Sequence, residues 1–156
     1  VCAEKTPKEL LKIRIADIAC GSGVFLEEVF SYLQNYCVQW YLNAGQKEHL
    51  EEIGNHVYKL PLSEKKEILC SCIYGIDIDI HAVEVAKFSL LIKLIEGETA
   101  PSVALVTPIL PDLSANIFFG NALVSEKEMQ GILNAESQRL DLVPFDWKKI
   151  NKGDFF

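Results

Sequence analysis

The segment Asp17-Ile18-Ala19-Cys20-Gly21-Ser22-Gly23 constrains the fold of this chain more than any other. Ile13 and Ile15 before it alternate as in a strand, and Val24-Phe25-Leu26 after it open a helical pattern. A strand, a tight glycine turn and a helix start leave backbone N–H groups exposed at a strand's carboxyl end, where α/β sheets bind ligands. Gly21 and Gly23 let the chain turn sharply and let a ligand approach the backbone. Asp17 sets a negative charge beside the turn, which disfavours a phosphate and favours a cation or an amine. A dinucleotide fingerprint requires a third glycine where Leu26 stands, so a pyrophosphate fits poorly.

S-adenosyl-L-methionine fits better, because it carries an ammonium, a carboxylate and a sulfonium and no phosphate. The second landmark is Ile73-Tyr74-Gly75-Ile76-Asp77-Ile78-Asp79, a buried strand ending in acids. Ile80 to Ile95 then reads as a helix, with Val83, Ala86, Leu90, Leu91 and Leu94 at helical spacing. Asp79 stands where an N-cap belongs, which leaves Asp77 to accept hydrogen bonds from a ribose diol. The third landmark, Asn116-Ile117-Phe118-Phe119-Gly120-Asn121-Ala122-Leu123, is a short apolar strand ending in Gly-Asn. Asn121 both donates and accepts, as the polar edge of an adenine requires. Ser125 and Glu128 have capping-box spacing, so a helix is expected from there.

In this order the three segments resemble the N6-adenine class of DNA amino-methyltransferases found in type IIG restriction-modification enzymes and related modification subunits. The family's D-P-A-C-G-S-G-x-F-L segment is matched from Asp17 to Leu26, with Ile18 in place of the proline. Its G-I-D-I-D and A-V-x-x-A-K segments are matched by Gly75 to Asp79 and by Ala82 to Lys87. An N-I-x-x-G-N-S-L type segment is matched from Asn116 to Leu123. The resemblance implies an α/β, Rossmann-like class I methyltransferase sheet, mostly parallel, with S-adenosyl-L-methionine as cofactor. It further implies that Asp17, Ala19, Cys20, Gly21, Ser22 and Gly23 hold the methionine part. Asp77 would take the ribose, Ile78 would line the adenine, Asn121 and Ala122 would lie at its polar edge, and Phe25 would form an adjoining wall.

Family catalysis rests on an N-P-P-Y type segment, and the six prolines of this chain are all isolated. Phe145-Asp146-Trp147 and the Gly153-Asp154-Phe155 turn resemble the run that leads into that segment in the family. The expectation is therefore a cofactor-binding portion, truncated before the catalytic strand, that binds without catalysing. The parent protein would methylate adenine N6 in duplex DNA, with the base flipped out of the stack. Its rivals are a methyltransferase acting on RNA or on a protein glutamine, and a non-catalytic cofactor-binding or interaction module.

The 156 residues suffice for one domain with a buried core. A net charge of −7 argues against a strong grip on DNA by this segment, so DNA would be a partner through the parent protein. Lys148, Lys149 and Lys152 form the one noticeable basic cluster, read as a solvated tail. The five cysteines follow no disulfide or zinc spacing, which fits reduced thiols in the cytoplasm, and no metal site is expected. Cys70 and Cys72 read as alternating in a strand, on one core-facing side. Phe25 to Leu42 reads as a helix. A helical insertion is expected over roughly 43–69, with helix at Lys47 to Val57 and at Ser63 to Leu69, and with Trp40 and Tyr41 partly exposed. Thr99 to Leu113, with its prolines, reads as a loop or irregular edge strand. No membrane span is expected, and an open sheet edge would allow self-association.

Overall fold

A computed structural model describes residues 5–104, 106–124, 143–147 and 150. The helix expected from Ser125 and the Lys148–Lys149–Lys152 cluster lie outside the described residues. The elements in chain order are α1 (Pro7–Leu10), β1 (Ile15–Asp17), α2 (Val24–Asn43), β2 (Glu51–Gly54) and β3 (Val57–Lys59). They continue with α3 (Leu62–Cys72), β4 (Ile73–Asp77), α4 (Ile80–Ile95), α5 (Ala100–Ala104) and β5 (Ile117–Phe119).

β1, β4 and β5 form a parallel sheet in that order, with Asp17 opposite Gly75 and Asp77 opposite Phe119. Successive side chains leave opposite faces of a strand, so the sheet has two coats. Ile73 and Ile117 face a large core built from Leu26, Phe30 and Leu33 of α2 and Val83, Ala86, Leu90 and Leu94 of α4. Each of these leucines is fully buried and contributes about 1.5–3 kcal/mol relative to exposure. On the other face Tyr74, Ile76 and Phe118 meet Phe145, Trp147 and Ile150. The helix expected from Phe25 to Leu42 thus lays Leu26, Phe30, Leu33 and Cys37 into the core, while Phe25 itself stays exposed.

Asn116 fixes how the third strand enters. Its side chain is 4% exposed. Its Nδ2 donates to the carbonyls of Cys70 (2.9 Å) and Ile73 (2.8 Å), satisfying groups that the end of α3 leaves unpaired.

The insertion is only partly helical. The sequence suggests helix over Lys47–Val57, whereas the chain makes one 3-10 turn at Lys47–His49 and then an antiparallel hairpin, β2 with β3. Gly54 (φ 113°), Asn55 (φ 51°) and His56 (φ 60°) adopt the left-handed backbone of a tight hairpin turn, which a helix excludes. Cys70 and Cys72 are likewise not in a strand but in the last turn of α3, where residues two apart do not share a face. Cys72 is buried, with Sγ 3.5 Å from the Leu10 carbonyl oxygen, and Cys70 is half-buried. Tyr41 is 8% exposed, stacked on His49 and donating to Glu64, so of the two aromatics only Trp40 is partly exposed. A short helix, α5, interrupts the loop expected from Thr99.

Candidate ligand site at the strand ends

All three parallel strands point their carboxyl ends at one edge of the sheet, because each is joined to the next through a helix on the way back. Asp17 and Asp77 end adjacent strands there. The turn after β1 is stapled to β4 by two bonds. Cys20 N–H donates to the Ile76 carbonyl (3.0 Å), and Gly21 N–H donates to Oδ2 of Asp77 (2.8 Å). Gly120 N–H donates to the Asp77 carbonyl (2.9 Å), which ties in the third strand end. The three sequence landmarks are therefore one hydrogen-bonded unit.

Asp77 is half-buried, and its Oδ1 also accepts from Asp79 N–H (2.9 Å). A carboxylate offers about four acceptor positions, so two main-chain donors leave it capacity for a diol. Asp79 caps α4, with Oδ1 accepting from His81 N–H at 2.8 Å. Asp17 accepts from Ala19 N–H (3.1 Å), a small loop that holds its carboxylate at the edge. Ala19 and Ser22 are exposed in the turn.

The two turn glycines divide the labour. A β-carbon on Gly21 (φ 53°) would meet nothing within 4 Å, so that backbone faces open space. Gly23 (φ 89°) is buried, and a β-carbon there would lie 3.1 Å from Cβ of Ala86. Gly23 thus serves the packing of α2 on α4. The Cys20 side chain is 6% exposed and packs on Gly75, whose own β-carbon would fall 3.0 Å from Sγ. Burial, then the charges of Asp77 and Asp17, push the Cys20 thiol up to about 12. It stays a thiol near neutrality and is no nucleophile.

Phe25 (56% exposed) and Ile78 (54% exposed) stand in water in the segments leaving β1 and β4, together with Ile18, Val24 and Ile80. Asn121 is half-buried and accepts from Leu123 N–H through Oδ1 (2.9 Å), and Ala122 packs against the second coat of the sheet. A return strap at Val143–Phe145 pairs with Asn121, a contact that no sequence periodicity signals.

A parallel α/β sheet with a glycine turn and acids at adjacent strand ends defines an α/β domain of the open-sheet type, a class whose ligands bind at the carboxyl ends of the strands. The chain belongs to a particular family of such domains, the MmeI DNA-methyltransferase domain, whose model matches residues 3–140. It is 47% identical over 123 residues to the type II restriction enzyme and methyltransferase RM.Eco57I of Escherichia coli. It is 36% identical over 116 residues to the putative type II restriction enzyme and methyltransferase RM.MjaORFECS2P of Methanocaldococcus jannaschii. These matches cover 79% and 74% of this chain but only 12% and 9% of the relatives. No solved structure matches.

Proposed function

We propose that the edge formed by β1, β4 and β5 binds S-adenosyl-L-methionine and that the protein carrying it methylates adenine N6 in DNA within a restriction-modification system. The Gly21–Asp77 hydrogen bond carries this reading, because it joins the glycine turn and the ribose-type acid into one pocket wall. The donor set suits the cofactor: the Asp17 carboxylate opposes its ammonium, Asp77 keeps acceptor capacity for its ribose diol, and the open space before Gly21 admits it. When bound, the cofactor supplies a methyl group on a sulfonium.

The chain's own residues bind and orient. Asp17 and the turn from Ala19 to Gly21 hold the amino-acid end, with Ser22 at its outer rim. Asp77 takes the ribose diol, and Ile78 and Phe25 cover apolar surface of the ligand. Asn121 and Ala122 border the adenine. Residues 1–156 constitute the cofactor-binding portion, with the hairpin and α3 as an insertion. DNA is gripped by other parts of the protein, since this acidic chain offers little to phosphates. No helix among the described residues is long and apolar enough to cross a membrane. β1 pairs on one side only among the described residues, an edge open to association.

Calorimetric titration with S-adenosyl-L-methionine and S-adenosylhomocysteine, alongside Asp77→Ala, tests the site. Saturable one-site binding that weakens in the variant is expected. Binding indifferent to Asp77→Ala would sink the assignment. Nucleoside analysis of DNA incubated with the complete protein tests the product, N6-methyladenine.

A further inference from the structure

Asn121 has its main chain gripped from both directions. Its N–H donates to the Val143 carbonyl (2.6 Å), and its carbonyl accepts from Phe145 N–H (3.0 Å). Pro144 sits opposite it in a parallel bridge. The strap is anchored by the Phe145 ring, which is 5% exposed. That ring lies 5.3 Å from Phe118 and 5.3 Å from Trp147, centroid to centroid. Its backbone closes on Gly120, where an added β-carbon would lie 3.2 Å from Cα of Phe145. Gly120 (φ 151°) in turn donates its N–H to the Asp77 carbonyl. Phe145 therefore packs on the residue that joins the second and third strand ends.

We infer that Phe145 is a positioning residue of the cofactor site: the Val143–Phe145 strap sets the height and rotation of Asn121, so that its side chain meets the adenine edge. The inference rests on the S-adenosyl-L-methionine reading above. A merely structural Phe145 would close the second coat of the sheet and affect stability alone. A positioning Phe145 acts on affinity, and only through Asn121.

Cofactor dissociation constants and melting temperatures of the complete protein separate these roles. The set is wild type, Asn121→Ala, Phe145→Ala, the double variant, and Phe145→Leu. Phe145→Ala is expected to weaken S-adenosyl-L-methionine binding about tenfold, the scale of one misplaced hydrogen bond. The double variant is expected to be no weaker than Asn121→Ala alone, because two residues acting through one contact are not additive. Phe145→Leu, which keeps most of the apolar volume, is expected to restore affinity. If Phe145→Ala does not fold, Gly120→Ala displaces the same strap and takes its place in the cycle. Additive losses, or a lower melting temperature with unchanged affinity, overturn the positioning role and leave the cofactor site standing. A folded wild type that binds no S-adenosyl-L-methionine overturns both.

Discussion

Asp77 and Glu98 are both carboxylates drawn in from solvent, and the chain uses them in opposite ways. Glu98, in the turn after α4, has a side chain only 1% exposed, accepting from Lys59 Nζ (2.6 Å), Lys65 Nζ (2.5 Å) and Ser102 Oγ (2.7 Å). Burial pushes its pKa up, but the bonds from Lys59, Lys65 and Ser102 outweigh this and hold it below the usual carboxylate range. The clasp ties β3, α3 and the end of α4 together. Asp77 accepts instead from the main-chain amides of Gly21 and Asp79 and stays half-exposed. Amide dipoles orient a carboxylate without cancelling its charge. A cancelled carboxylate is architecture, whereas an oriented and uncancelled one still attracts a cation.

The largest expected effect comes from breaking the cancelled one. Glu98→Ala leaves two buried or nearly buried lysines facing each other. A loss of about 3–5 kcal/mol in unfolding free energy is expected, read by denaturant melts. Cofactor affinity of the folded fraction should not change, because the 16 residues of α4 place Glu98 about 24 Å from the ligand edge. A parallel loss of affinity would show that the two regions are coupled. The pH dependence follows from the sign of the shift. A depressed folded pKa means that the stabilisation is full above the unfolded value of about 4.3 and is lost as pH falls through the folded value. Glu98→Gln should therefore flatten the acid limb of the stability profile.

How much of each region could be read from the sequence follows the same division. The arrangement at the carboxyl edge of the sheet was legible because its residues sit at fixed offsets from apolar runs: an acid at the ends of β1 and β4, a glycine turn, an N-cap at Asp79. Local backbone physics dictates those offsets. The clasp was not legible, since Lys59 and Glu98 lie 39 positions apart and charged residues in a polar run read as solvated surface. The hairpin was missed because Gly54-Asn55 sits inside a run of charges with helical composition. The strap was missed because its pairing with Asn121 rests on no periodicity at all.

Within the glycine turn, Gly21 and Gly23 divide between an open backbone and a packed one. Gly23→Ala must hold a left-handed φ of 89° and push into Ala86, for which about 2–4 kcal/mol of destabilisation is expected. Gly21→Ala meets no neighbour, so about 1–2 kcal/mol from its left-handed backbone is expected, with weakened cofactor binding as the main signature. Thermal melts beside calorimetric titrations would read both. Equal affinity losses in the two variants would erase the distinction.

Asp77→Asn keeps the shape and one acceptor oxygen for Gly21 N–H, but it removes the charge and turns an amide NH2 toward Asp79 N–H. About tenfold weaker binding of S-adenosyl-L-methionine is expected, with a shift in melting temperature far smaller than that of Glu98→Ala. Stability falling as far as in Glu98→Ala would mean that Asp77 is architectural too.

The smallest effect is expected at Cys20, which lies in the turn but belongs by its side chain to the core. With its thiol raised to about 12 by burial and by Asp77 and Asp17, it carries almost no thiolate at pH 8. Iodoacetamide should leave it unlabelled under native conditions while modifying it readily in denaturant, which peptide mass spectrometry resolves. Rapid native labelling would mean that the turn opens, since neither the buried Sγ nor its protonation permits attack in the closed form. Added cofactor would then be expected to slow the labelling, because holding Gly21 on Asp77 keeps Cys20 against Gly75.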